Sequence, residues 1–267
     1  MSLTVAVEGV GLWSPLLPGW DASRAILRGD AQPSAEPAGR PAPSLLAPNE
    51  RRRAPDSVLL AFETAQQACA MAGRQPGSLP AVFASAWGDL GINDYLCATL
   101  VHSAHDVSPT KFHNSVHNAP AGYWAIATGC MANTSAISAG QATFGAGLLE
   151  AALLAVSENV PVLFVVYDVA AVGALAGVIA TRAAFGCALV LAPQRDRAGA
   201  ALRIDVADGP APPLAPDPWL LHASHRDNPA AHGLPLLTAL AHARAQAMGL
   251  PAGPRQHLHL EIANWQN

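Results

Sequence analysis

The sequence predicts an α/β fold on a mostly parallel or mixed sheet, and three observations carry that prediction. Segments that read as strands alternate with segments of helical periodicity. Two of the strand segments, "VPVLFVVYD" and "AAFGCALVLAP", are apolar almost without a break, as strands covered on both faces are. Of the 267 residues, 51% are hydrophobic and only 13% charged, which implies a large, well-covered core.

The elements follow in order. "LTVAVEGVGLW" reads as a buried strand ending in glycine turns, and Asp21 is expected to cap a short helix in "GWDASRAILRGD". Residues 31–55 are rich in Pro and Ala and read as a surface loop, with "RRR" at Arg51–Arg53 a solvated linker. Asp56 or Ser57 starts a helix whose apolar residues Val58, Leu59, Phe62, Ala65 and Cys69 keep helical spacing. "PAVFASAWG" is a short strand and "INDYLCATLVHSA" a helix. Asn118 is placed to cap the next helix, with Pro120 acceptable in its first turn. "ANTSAIS" is a strand that runs into "AGQATFGAGLLEAALLAVSE", a helix apolar nearly all round and so buried on several sides. After the two apolar strands, "ALRIDVA" is another strand, and Gly209–Pro218 a Pro-rich loop. "GLPLLTALAHARAQAMG" reads as one helix and "RQHLHLEIAN" as an alternating strand.

Charge and cysteine usage narrow the function classes. The net charge of −4, with a single lysine, gives no basic footprint for nucleic acid or an anionic membrane. Val162–Thr181 is about long enough to span a bilayer. It contains Asp168, follows Pro161 and has β-branched residues at its front, so a buried strand, a turn and a small-residue segment are expected instead. The cysteines at 69, 97, 130 and 187 show no CxxC pairing, which points away from a metal site or disulfide scaffold and toward a reducing cytoplasm. The start, "MSLTVAVEGVG", lacks the basic residues and long apolar core of a signal peptide.

Four constellations carry chemistry-bearing side chains. "SPTKFHNSVHNAPAGYW" holds Lys111, His113, His117 and Asn118. The two histidines have metal-ligand spacing only if the segment is helical; flanking prolines and the lack of an acidic third ligand favour a polar loop. "HLHLE" puts His257, His259 and Glu261 on one face of a strand, read as the solvent-facing edge of a terminal strand. "LHASHRDNPAAHG" carries His222, His225 and His232, any of which could serve a nucleophile as base, though loop histidines are the simpler reading. At the strand-to-helix junction "TSAISAGQAT", a nucleophile would gain from the helix N-terminus. Ser138 is the only good nucleophile there, and G-x-S-x-G is absent.

Together these stretches resemble β-ketoacyl synthases. "VAVEGVGLWSPLLPGWDASRAILRGD" is similar to the family's opening strand, glycine turn and first helix. "VSPTKFHNSVHNAPAGYWAIATG" resembles the loop and helix before the nucleophile strand. It is closer still to the chain length factors of aryl polyene-type pathways. "TSAISAGQATFGAGLLEAALLA" stands where the family has its nucleophile, and the two apolar strands follow as they do there. The resemblance covers residues 3–193. It implies a thiolase-like fold with a reduced second half, one domain over 1–267: an N-terminal-like half at 1–193 and a truncated half at 194–267.

Two departures shape the implied function. The nucleophilic cysteine is missing, its place falling within Ser138–Ala142 with Gln141 or Ser138 the degenerate residue. Neither of the two histidine motifs of the family's second half is present. The resemblance therefore implies a non-catalytic chain length factor, without cofactor or metal, paired with a ketosynthase that brings the acyl carrier protein. A homodimer is possible in isolation. His113, His117, Asn118, Ile137 and Phe144 are the implied acyl-channel or interface residues, with pairing across "ANTSAIS". Three alternatives stand beside it. A serine hydrolase would use Ser138, a C-terminal histidine and an acid such as Asp168. A malonyl carrier protein decarboxylase would use Gln141, and a homodimeric scaffold would need neither.

Overall fold

A computed structural model describes residues 2–194, 199–212 and 217–263. The strands are β1 (Ser2–Trp13), β2 (Ala81–Ala84), β3 (Thr134–Ile137), β4 (Val162–Asp168), β5 (Phe185–Pro193), β6 (Ala200–Asp208), β7 (Gln246–Gly253) and β8 (Gln256–Ile262). The helices are α1 (Trp20–Leu27), α2 (Pro48–Arg53), α3 (Asp56–Ala72), α4 (Leu90–His102), α5 (Pro109–His113), α6 (Ala119–Thr128), α7 (Thr143–Glu158), α8 (Pro218–Leu221) and α9 (Leu234–His242).

Among the described residues, all eight strands form one sheet in the order β3-β2-β4-β5-β1-β6-β8-β7. β2 pairs in parallel with β3 and β4. The other pairings are antiparallel, so the sheet is mixed. Helices cover both faces at its centre. α7 and α9 bury one face together with Val5, Phe164, Leu189 and Leu202. α3 buries the other with Phe83, Leu163, Val165 and Val190. All seven residues of β4 are buried for this reason. The close approach of α3 to β1 requires glycine: a Cβ at Gly11 would run into the Thr64 carbonyl.

Beyond β1 only one face is covered, and the strands alternate accordingly. On β6 and β8, Leu202, Ile204, Leu258 and Leu260 point inward and are buried. The outer face carries Arg203, which pairs with Asp205 at 3.0 Å and Glu261 at 3.5 Å. The His259–Glu261 pair sits on that face at 3.4 Å. His257, His259 and Glu261 thus lie on the outer face, but on an interior strand between β6 and β7 rather than at an edge.

Several local expectations are corrected. Gly19, at φ 113°, occupies the N-cap of α1, and Asp21 lies in the first turn instead. The loop over 31–55 includes α2, whose last turn is Arg51–Arg53, so "RRR" is helical. Basic side chains there suit the negative end of the helix dipole. The long helix expected over "GLPLLTALAHARAQAMG" stops at His242, because Ala243 turns left-handed at φ 49° and Gln246–Gly253 pairs with β8. Local Leu/Ala propensity yields here to a sheet edge that buries Met248 and Leu250. Asn118 does hold the N-cap position of α6, with Pro120 in the first turn, but its side chain makes no capping bond. Val162–Thr181 is β4 followed by a 3-10 turn at Gly173–Gly177. Among the described residues no helix is long and apolar enough to cross a membrane. The Gly209–Pro218 loop and the end of the last expected strand fall partly outside the described residues.

Candidate functional site at the β3–α7 junction

The parallel strands β3, β2 and β4 end together at Ile137, Ala84 and Asp168. In open α/β sheets the loops at such carboxyl ends form the ligand crevice. Three segments meet there: the turn Ser85–Asp89 after β2, the junction Ser138–Ala142 after β3, and the 3-10 turn Pro229–Gly233 before α9.

The junction folds as a tight turn. Gly140 takes φ 55°, and Gly140–Ala142 makes a 3-10 turn that hands over to α7 at Thr143. Buried Thr143 closes it, its hydroxyl donating to Gly140 O at 2.7 Å and accepting from Ala139 N at 3.0 Å. Ser138 and Gln141 are exposed on this turn. Ser138 Oγ donates to Ala86 O at 3.2 Å and has no histidine partner among the described residues. The Gln141 carbonyl meets His232 Nδ1 at 2.8 Å. Burial pushes the His232 imidazole below its usual pKa, against the pull of that carbonyl.

Asp168 is the acid of the hydrolase reading, yet it serves neither Ser138 nor a histidine. It is fully buried at the end of β4. Its carboxyl accepts from Ser85 Oγ at 2.8 Å, Trp87 N at 3.0 Å and Ala86 N at 3.3 Å. Burial pushes it up to about 7, opposed by the hydrogen bonds from Ser85, Trp87, Ala86 and Ala230. A serine–histidine hydrogen bond does exist, but it joins Ser14 Oγ to His225 Nε2 at 3.1 Å. Both residues are fully buried, so no substrate reaches them. The Ser138–histidine–Asp168 triad is therefore not assembled.

The remaining sequence candidates divide by location. His117 joins the site, its Nε2 meeting Ser85 O at 2.9 Å. His113 ends α5, so it and His117 do not share a helix. His113 and Asn118 instead line a surface groove of about 330 Å³ beside Leu46, Tyr123 and Ile126. Ile137 ends β3 and is half-buried. Phe144 is fully buried behind the junction, its ring edge-to-face with Phe164 at 5.6 Å. It packs so closely on the 229–233 turn that a Cβ at Gly233 would overlap it. Among the described residues no cluster of His, Cys, Asp and Glu could hold a metal ion. The parts that sequence reasoning missed are the Ser85–Asp89 turn and the contact of His232 with Gln141. The available signal was Asp168 itself, a carboxylate at the end of an unbroken apolar strand.

The family model of the β-ketoacyl synthase N-terminal domain matches residues 20–253. The chain belongs to this β-ketoacyl synthase family. No curated protein sequence matches it. Solved structures of the same fold include a chain of the ketosynthase (ApeO) in complex with its chain length factor (ApeC) from Xenorhabdus doucetiae. That match has a TM-score of 0.74 and 21% identity, covering 97% of this chain and 99% of that one. The ishigamide ketosynthase/chain length factor matches with a TM-score of 0.70 and 14% identity, covering 99% and 100%. A type II polyketide synthase complex of an acyl-carrier protein with its hexaketide-bound ketosynthase matches with a TM-score of 0.71 and 11% identity, again covering 99% and 100%. The β-ketoacyl synthase-like chain thus has the thiolase-like ketosynthase fold over nearly its full length.

Within that family, the thiols bear on chemistry. All four cysteines are free. Cys69 is buried, which pushes its thiol up to about 12, and burial in β5 pushes the Cys187 thiol up as well. Cys130 is buried before β3, its thiol directed at Leu79 O. Cys97 is exposed on α4, away from the junction. None of these sits on the Ser138–Ala142 turn.

Proposed function

We propose that this chain is the non-catalytic chain length factor of a ketosynthase heterodimer acting in aryl polyene-type biosynthesis. One observation carries the reading: the strand-to-helix junction is built and exposed, but carries Ser138 and Gln141 in place of a thiol. A carboxamide is too poor a nucleophile to hold an acyl group as a thiolate does. The partner would supply cysteine and histidines, receive acyl and malonyl groups from the acyl carrier protein, and condense them. This chain would wall the acyl channel, with Phe144 behind the junction limiting its depth. The likeness to ketosynthase–chain length factor complexes supports the pairing.

β3 supports it too. The strand is the sheet edge, and Thr134 and Ala136 are exposed on it. Met131 and Ile126 beside it are 96% and 83% exposed. Such an apolar edge calls for cover by another chain.

The test is co-purification with a ketosynthase from the same cells, followed by an elongation assay with acyl and malonyl carrier protein. The isolated chain should give no elongated product and the pair should. Turnover by the chain alone that Ser138→Ala or Gln141→Ala abolishes would restore the enzyme reading. A stable homodimer that takes no partner would favour the scaffold. In the active pair, Phe144→Ala should lengthen the product by a few methylene groups, read by mass spectrometry.

A further inference from the structure

We infer that Asp168 is the positioning residue of the β3–α7 junction, fixing both of its ends through two hydrogen-bonded arms. This goes beyond the pairing function and does not depend on it. The first arm leaves the carboxyl. Ser85 Oγ, Ala86 N and Trp87 N all donate to it, and Ser85 Oγ also accepts from Gly88 N at 2.8 Å. The Ser85–Gly88 turn is thereby wound around one buried oxygen pair. That turn offers Ala86 O to Ser138 and Ser85 O to His117, and Ser85 N donates to Ile137 O at 3.2 Å. The N-terminal end of the junction and the loop before α6 both hang on it.

The second arm leaves both the Asp168 main chain and its carboxyl, which also accepts from Ala230 N. Asn228, itself buried, donates through Nδ2 to Asp168 O at 3.1 Å and to Ala183 O at 2.9 Å. Its Oδ1 accepts from Ala230 N at 2.9 Å, which starts the 229–233 turn. His232 on that turn meets the Gln141 carbonyl, the other end of the junction. Ser138 and Gln141 are thus held from opposite sides by one residue.

No cation pairs with Asp168 among the described residues, so uncharged donors alone hold the carboxyl. The titratable groups around it are Tyr167 on its own strand, Asp89 at the end of the β2 turn, His117 on the loop before α6, and His232 on the 229–233 turn. With its pKa near neutrality, Asp168 changes which donors it can satisfy within the physiological range. A protonated carboxyl accepts fully at one oxygen only, and the carboxylate accepts at both.

Amide NMR and hydrogen exchange of the full chain test this. In the wild type, the Ala86, Trp87, Ser138 and Gln141 amides should titrate together with a midpoint of about 7. Asp168→Asn should remove that step and speed exchange over 85–88 and 138–142 at least about tenfold, with β1 and β5 amides unchanged. Any step owed to a neighbouring imidazole would persist in this variant. The folded carboxyl titrates above the unfolded value of about 3.9. This group's contribution to stability is therefore greatest below about pH 4, falls as pH rises from there to about 7, and changes little above it. The urea midpoint should drop between about pH 5 and pH 8 in the wild type and stay flatter in Asp168→Asn. Ser85→Ala cuts only the first arm and keeps the test open should Asp168→Asn not fold. It should loosen 85–88 and Ser138 and spare the His232–Gln141 contact. Junction amides that do not follow Ala86, or a Ser85→Ala change that reaches both arms equally or neither, would overturn the inference.

Discussion

The two edges of the sheet are built in opposite ways. β7 carries Pro251, which has no N–H to offer, and a bulge between Pro251 and Gly253. α7 also lies tight against it, since a Cβ at Gly145 would meet the Pro251 carbonyl. Proline, bulge and covering helix are the standard protections of an edge that must stay unpaired. β3 has neither the proline nor the bulge. Its four residues, Thr134–Ile137, include no proline and no charge, and exposed Met131 and Ile126 flank it. The two edges thus differ in how they resist pairing, and cover by the proposed partner would account for the difference.

Three experiments would break or sharpen that contrast. The largest effect is expected at β3. Ile137→Asp would bury a charge without a counter-charge in the complex, at a cost on the order of several kcal/mol. Capture of the ketosynthase partner should fall at least about a hundredfold. Ala247→Asp, at an exposed position on β7, should leave capture unchanged. Equal capture by Ile137→Asp and wild type, with the circular dichroism unaltered, would rule out β3 as the pairing edge.

The next effect belongs to β7. Gly145→Ala forces a methyl into the α7–β7 contact and should cost about 1–3 kcal/mol of stability, read as a lower urea midpoint. A variant as stable as the wild type would mean that α7 does not clamp this edge. The smallest effect is at the rim of β3. Met131→Ser should change the stability of the isolated chain by no more than about 0.5 kcal/mol. Partner affinity should still fall about fivefold, which is close to 1 kcal/mol. Titration calorimetry against the purified partner would separate the two.

The same contrast between regions explains what could be read early. β4 and β5 were legible because both faces are covered, so nearly every residue is apolar and the pattern needs no partner to interpret. The helical spacing of α3 and the apolar surface of α7 were legible for the same reason. β7 was not. Its start, Gln246–Met248, continues a run of helix-forming residues, and only pairing with β8 makes it a strand. At the site, Ser138 and Gln141 were found because they lie within one short stretch of chain. Ser85, Asp168, Asn228 and His232 were not found as a group. Up to 147 positions separate them, and none has a spacing that announces the others.

The sequence by itself determined the α/β class, the run of covered strands, the absence of a thiol at the junction and the family resemblance. These are local properties: periodicity, composition and the identity of residues a few positions apart. Only the tertiary structure decided the mixed strand order, the burial of Ser14 with His225, and the two arms by which Asp168 holds the junction. Those depend on which segments meet. A hydrogen bond such as that between Ser85 and Asp168 forms across 83 positions because the sheet sets β2 beside β4. The register of two strands, not the order of residues in either, brings the hydroxyl to the carboxylate.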